Sequence, residues 1–126
     1  MAEKLSVVVA GGGTAGHIEP ALAVGEVLRD EFGAFVTALG TEKGLETAIV
    51  PSRGFELNLI DPVPIPRSTP WLLPGVPFKL AKSVYQTRSA LKRVGADVVF
   101  GTGGYVAASA YLAAASLRLP FFVLET

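Results

Sequence analysis

Cysteine is missing from all 126 residues, which rules out disulfides and thiolate metal sites and leaves the redox compartment open. Histidine occurs once, at position 17. Net charge is also missing, with 11 basic residues balancing 11 acidic ones. That balance hides a local absence. Acids vanish between residues 62 and 96, where Arg67, Lys79, Lys82, Arg88, Lys92 and Arg93 stand alone, whereas residues 1–61 carry nine acids against four bases. A segment with charge of one sign is a candidate surface for an anionic partner. Long hydrophobic runs are lacking too. The nearest, "YVAASAYLAAASLRLPFFVL" at 105–124, is broken by Arg118 and Pro120, and its helical part falls short of ~30 Å of hydrocarbon. It predicts a buried helix followed by a buried strand. The N-terminal apolar run is too short for a secretory signal, so a soluble cytoplasmic domain is the default.

Half of the residues are hydrophobic, and the length suits one domain with its own core. Short apolar runs predict strands at Leu5–Ala10, Ala34–Gly40, Phe55–Ile60, Asp97–Gly101 and Phe121–Leu124. Helical patterns fall between them, at about 17–32, 43–53, 78–94 and 103–118. Continuous apolar strands such as "LSVVVA" suit a parallel sheet covered on both faces. Strand alternating with helix predicts an α/β fold, a Rossmann-like parallel sheet with helices on both faces. In the third helix Leu80, Val84, Leu91 and Val94 form the expected core stripe, with Thr87 inside it. Ahead of it, "DPVPIPRSTPWLLPGVP" holds six prolines in 17 residues and predicts a long loop without regular structure. No internal repeat or low-complexity tract is evident.

Glycine is concentrated in two turns. "VVVAGGGTAGHIEPALA", residues 7–23, runs from strand to helix through Gly11, Gly13 and Gly16, a G-x-G-x-x-G pattern in the right setting. Such a turn lets a ligand approach the main chain, and the next helix offers unpaired N–H groups and partial positive charge to a phosphate. "VVFGTGGYVAAS", residues 98–109, repeats the device with Gly101, Gly103 and Gly104. With strand order 3-2-1-4-5 both turns face one crevice at the topological switch point. His17 sits at the first helix's mouth, whose positive end favours the neutral imidazole of a general base. Glu19 complements the same dipole in the first turn, and Pro20 suits a first-turn position. In "GTEKGLE", residues 40–46, Thr41 is placed to cap the next helix, with Glu42 on its dipole, and ligand contact is an equal alternative. Tyr105 could face the core or the crevice.

The stretch "PWLLPGVPFKLAKSVYQTRSALKR", residues 70–93, couples an apolar loop to a basic helix. Trp71, Leu72, Leu73, Val76 and Phe78, with Lys79 and Lys82, would form a patch that dips into an anionic membrane surface if they face outward. Nucleic acid fits less well, since no reading-helix motif is present.

Three motifs in order, "GGGTAGHIEPALAV", "GTEKGLE" and "GTGGYVAASAYLAA", resemble the N-terminal part of MurG-type glycosyltransferases. The resemblance implies the N-terminal half of a GT-B fold, with residues 1–126 as a truncated acceptor-binding domain. It implies inverting transfer of N-acetylglucosamine from UDP-N-acetylglucosamine to the C4 hydroxyl of undecaprenyl-diphospho-muramoyl-pentapeptide in peptidoglycan synthesis. The enzymes are peripheral at the cytoplasmic face of the cell membrane and use no cofactor and no catalytic metal. By likeness Gly13, Thr14, Ala15, Gly16 and His17 form the first loop, with His17 the base. Gly103, Gly104 and Tyr105 lie near the acceptor diphosphate, Thr41 and Glu125 are possible sugar or acceptor contacts, and Trp71 to Phe78 with neighbouring basic residues form the membrane patch. Two departures stand out: Ala15 where the family usually has glycine, and Leu124-Glu125-Thr126 where it often has His-Glu-Gln-Asn. Without a donor-binding half the chain alone is expected to be inactive. The competing readings are a dinucleotide-binding module, for which Gly40 and Thr41 stand where an acid is needed, and a non-catalytic anion- or membrane-binding domain.

Overall fold

The computed structural model describes residues 5–11, 15–42, 46–60 and 76–124. Nine elements alternate along the chain. They are β1 (Ser6–Gly11), α1 (Ala15–Phe32), β2 (Phe35–Gly40), α2 (Glu46–Ser52), β3 (Glu56–Leu59), α3 (Val76–Arg93), β4 (Val98–Gly103), α4 (Gly104–Ser116) and β5 (Phe121–Val123). The five strands form one sheet in the order β3-β2-β1-β4-β5, every pair parallel. The alternation and the strand order read from the sequence therefore hold.

Continuous hydrophobicity has the expected meaning. Val7, Val8 and Val9 of β1 are all about 1 % exposed, because alternate side chains enter different cores. Val7 and Val9 join Ile18, Ala21 and Leu22 of α1, Val36 and Ala38 of β2, and Val50 beside α2's end. Val8 and Ala10 join Leu39, Val99 and the α3–α4 pair through Leu91, Val106 and Ala110. Full burial of each such valine contributes about 1.5–3 kcal/mol. At the opposite end of the sheet from the glycine turns, Ser6 Oγ donates to the Val94 carbonyl (3.0 Å) and Ser6 N–H to Asp97 (2.8 Å), fixing β1 against the lead into β4.

Several expectations shift. Helix α1 opens at Ala15, two residues earlier than expected, so Pro20 lies inside the helix rather than in its first turn. Its ring nitrogen has no hydrogen for the carbonyl four residues back, Gly16, and the helix continues without that bond. Glu19 is also past the first turn, which contains no acid. It accepts instead from Arg53 (2.5 Å), which reaches Glu26 as well (2.7 Å) and so ties α1 to the turn before β3. Both carboxylates hold the Arg53 guanidinium above its usual pKa.

Helix α2 begins at Glu46, five positions past Thr41, too far for Thr41 to be its N-cap; Thr41 is buried at the end of β2. Helix α3 opens at Val76, two residues earlier than expected, with Pro77 tolerated in the first turn; the expected loop at 61–75 lies outside the described residues. Helix α4 stops at Ser116, not 118, because Arg118 adopts φ 59° and Pro120 follows.

The core stripe of α3 is rotated from the apolar one. Ser83, Thr87, Ala90 and Leu91 are the buried residues, and Leu80 and Val84 sit at the margin. Small hydroxyl side chains allow close approach of α4: Ser83 Oγ and Ser109 Oγ are 2.9 Å apart, and Thr87 Oγ1 donates to the Ser83 carbonyl. A hydrophobicity pattern cannot show this, because paired serines read as polar. The strand predicted at 121–124 is present but exposed along its length, so the expected burial there fails.

Candidate functional site

β1 and β4 are neighbours, and their C-terminal ends pair Gly11 with Gly103. Residues 11 and 103 therefore lie side by side at one end of the sheet. From there α1 leaves over one face and α4 over the other, which makes this the topological switch point. Pairing runs from Ala10–Gly101 directly to Gly11–Gly103, so Thr102 is an extra residue, a bulge in β4 at the mouth of the crevice. Thr102 is itself buried.

Gly103 is the N-cap of α4 with φ 118° and ψ 177°, a backbone that side-chain-bearing residues rarely adopt. It supplies no side-chain cap, so the first-turn N–H groups of α4 point out of the helix without that partner. Such an end attracts anions through both donors and dipole. Gly101 is needed for a different reason. A Cβ there would run into the Tyr111 ring, which α4 lays across the strand and which stacks on Phe121 with centroids 5.2 Å apart.

The backbone of Ala15, Gly16 and His17 forms the first turn of α1 beside this crevice, and Gly104 and Tyr105 open α4. The side chains of Ala15, His17 and Tyr105 lie outside the described residues, as do Gly13, Thr14 and Glu125 altogether. Thr41 follows β2 at the same end of the sheet and is 1 % exposed. Among the described residues no group of three or more His, Cys, Asp or Glu could hold a metal ion.

The expected membrane patch divides. Trp71, Leu72 and Leu73 lie outside the described residues, and for Val76 only its place at the start of α3 is described. Phe78 projects, 79 % exposed, with Lys79 and Lys82 exposed on the same helix. Next to them Leu80, Ala81, Val84, Tyr85 and Arg88 of α3 and Leu112 of α4 line an open, largely apolar groove of about 490 Å³. The sequence reading missed this groove and the roles of Tyr111 and Arg53. The groove had a signal in the leftover apolar positions of α3. Tyr111 and Arg53 had none, since each acts on a residue distant in the chain.

Fold and crevice together define the N-terminal half of a GT-B glycosyltransferase. Residues 7–126 match the glycosyltransferase family 28 N-terminal domain, and the chain belongs to that family. It is 65% identical, over 98% of its length, to the UDP-N-acetylglucosamine–N-acetylmuramyl-(pentapeptide) pyrophosphoryl-undecaprenol N-acetylglucosamine transferase of Corynebacterium efficiens, of which it covers 34%. The crystal structure of Acinetobacter baumannii MurG superposes with a TM-score of 0.82 at 32% identity, over 96% of this chain and 35% of that one. The Streptomyces glycosyltransferase SsfS6, with TM-score 0.70 and 17% identity over 96% of this chain and 38% of that one, shares the fold alone. The chain thus spans about a third of the length of the curated relatives it matches. The dinucleotide-module reading falls away, because β2 ends in Gly40 and a buried Thr41, with no acid at that point.

Proposed function

We propose that this domain binds the lipid-linked acceptor in an inverting N-acetylglucosaminyl transfer to undecaprenyl-diphospho-muramoyl-pentapeptide, with UDP-N-acetylglucosamine held mainly by a second half. The observation that carries the reading is the pairing of Gly11 with Gly103, which brings two helix N-termini to one crevice. The acceptor diphosphate would lie across the amides of Gly103, Gly104 and the first turn of α1, where Gly13 and Thr14 complete the loop. His17, in that turn, would take the proton of the C4 hydroxyl as its oxygen bonds to the sugar's anomeric carbon. The bond from that carbon to the UDP oxygen breaks, and UDP leaves with the electron pair. Likeness to the named transferases and the amide-lined geometry support this assignment; the residues' roles are the proposal.

Titration of the domain with a short-chain polyprenyl-diphospho-muramoyl-pentapeptide, followed by amide NMR, is the direct test. Shifts are expected at residues 11–17 and 101–106. Shifts confined to other regions, or none at millimolar ligand, would remove the acceptor from this crevice.

The same proposal places the face of α3 against the anionic cytoplasmic leaflet. Phe78 and the groove supply apolar contact, and exposed Lys79 and Lys82 of an acid-free helix supply charge, whereas Arg93 donates to Asn58 Oδ1 of β3. Among the described residues no helix is long and apolar enough to cross a membrane. Each juxtamembrane lysine contributes about 1 kcal/mol, so Lys79→Glu with Lys82→Glu should weaken partition onto phosphatidylglycerol-rich vesicles by at least about tenfold. Co-sedimentation at low salt reads this. Unchanged partition of the double variant would place the membrane contact elsewhere.

A further inference from the structure

Tyr111 stands outside the transfer chemistry, about two turns down α4 from the crevice. It is half-buried and packs against the core between the sheet and the α3–α4 pair. Helical side chains lean back toward the N-terminus, and this one reaches the strand that feeds its own helix. The ring covers Gly101 of β4, where only a missing Cβ leaves room for it, and stacks on Phe121 of β5 at 5.2 Å. Gly101 is the last β4 residue in register before the Thr102 bulge, and Gly103 caps α4. The contact therefore closes residues 101–111 into a loop fastened at both ends. Gly101, Gly103 and Gly104 bring no side chains to hold that turn, and glycine loses the most backbone freedom on being fixed. The ring also reaches the approach to residue 125. The Gly101 carbonyl accepts from the Leu124 N–H (2.8 Å), so the end of β5 is registered on the residue that the ring covers.

We propose that Tyr111 is a positioning residue of the acceptor site. Wedged between Gly101 and Phe121, it holds the 102–104 turn and the end of β5 at the spacing that the acceptor diphosphate needs. The inference rests on the acceptor reading and deepens it. A loose glycine turn would have to be ordered by the incoming diphosphate, which weakens binding, whereas a turn already held avoids that loss. The ring acts by its bulk, because ring carbons as well as the hydroxyl fill the space over Gly101. The sugar donor, held mainly by the second half, should not feel the change.

The test uses a full-length enzyme in which this domain replaces the N-terminal third of the Corynebacterium efficiens transferase. Tyr111→Ala should raise the acceptor KM about tenfold, with kcat and the donor KM within about twofold of the wild type. Hydrogen exchange should speed up in peptides covering 102–106 and stay unchanged in those covering β1 and β2. Tyr111→Phe should restore both readouts. A tyrosine that only stabilised the fold would lower the melting temperature and leave the acceptor KM of the folded enzyme alone. Unchanged exchange at 102–106, or a Tyr111→Phe enzyme as impaired as the alanine variant, would overturn the positioning role alone. Faster exchange with an unchanged acceptor KM would overturn it together with the acceptor reading, since the turn would be loose and the acceptor indifferent to it. If Tyr111→Ala does not fold, Phe121→Leu decides. It removes only the stacked partner and should raise the acceptor KM in the same direction, and an unchanged value would refute the proposal.

Discussion

Replacing Gly101 by alanine is expected to destabilise the domain by about 1–3 kcal/mol, the usual cost of forcing a methyl group into a filled site. The added Cβ would coincide with the Tyr111 ring, three of whose atoms lie inside normal contact distance. The ring has little freedom to retreat, because it stacks on Phe121 at 5.2 Å and 25°. Moving it disturbs the β5 contact and the β4 bulge that shapes the second glycine turn. Urea unfolding would read the loss as a lower midpoint with an unchanged slope. Truncation of Tyr111 provides the control. Tyr111→Phe should not relieve Gly101→Ala, since ring carbons as well as the hydroxyl occupy the space. Tyr111→Ala should relieve it, with a coupling of about 0.5–3 kcal/mol between the two sites. A Gly101→Ala domain within about 0.5 kcal/mol of the wild type would show that the ring is not held as described.

This packing shows where sequence reading stops. Val7 to Val9 announced a strand buried on both faces, and the strand-helix alternation announced the winding, because both are local signals with one physical solution. The two glycine turns were legible for the same reason. Their meeting at Gly11 and Gly103 needed the strand order, which the expected winding supplied. What could not be read depends on partners far along the chain. Glu19 looked like a dipole complement until Arg53, 34 residues later, claimed its carboxylate. Ser83 carries no apolar signal, and its burial comes from meeting Ser109, 26 residues later. The fifth strand was expected to be buried because it is apolar, yet apolarity shows only that a face wants cover, not that this stretch of chain provides it.

The α3 stripe carries the same lesson toward function. Leu80 and Val84 were assigned to the core by period, and the structure leaves both half-buried at its margin, where Val84 still packs on the core and both line a groove. Hydrophobic residues displaced from a core by small hydroxyl pairs have two uses, packing and binding. Here they stand beside exposed Lys79 and Lys82, the combination that the proposed membrane contact uses.

In a full-length transferase carrying this domain, His17→Ala should lower kcat by about 100-fold or more if the imidazole is the base proposed for the C4 hydroxyl. The position supports the role by its backbone alone. Residue 17 lies in the first turn of α1, next to the strand end that pairs with the second glycine turn. Loss of a base should act on kcat and leave the acceptor KM close to its original value, since in the proposed arrangement main-chain amides hold the diphosphate. A purely structural histidine would behave differently: its loss would lower stability, and kcat would recover once the protein was refolded. His17→Gln separates the two further, because an amide can replace a hydrogen bond but cannot take up a proton. The glutamine variant should therefore fold and bind acceptor like the wild type while remaining as slow as the alanine variant. It should also lose the acid limb of the rate–pH profile that the imidazole imposes. Near-normal turnover by either variant would assign the proton to another group or to water, and the crevice would then act through its amides alone.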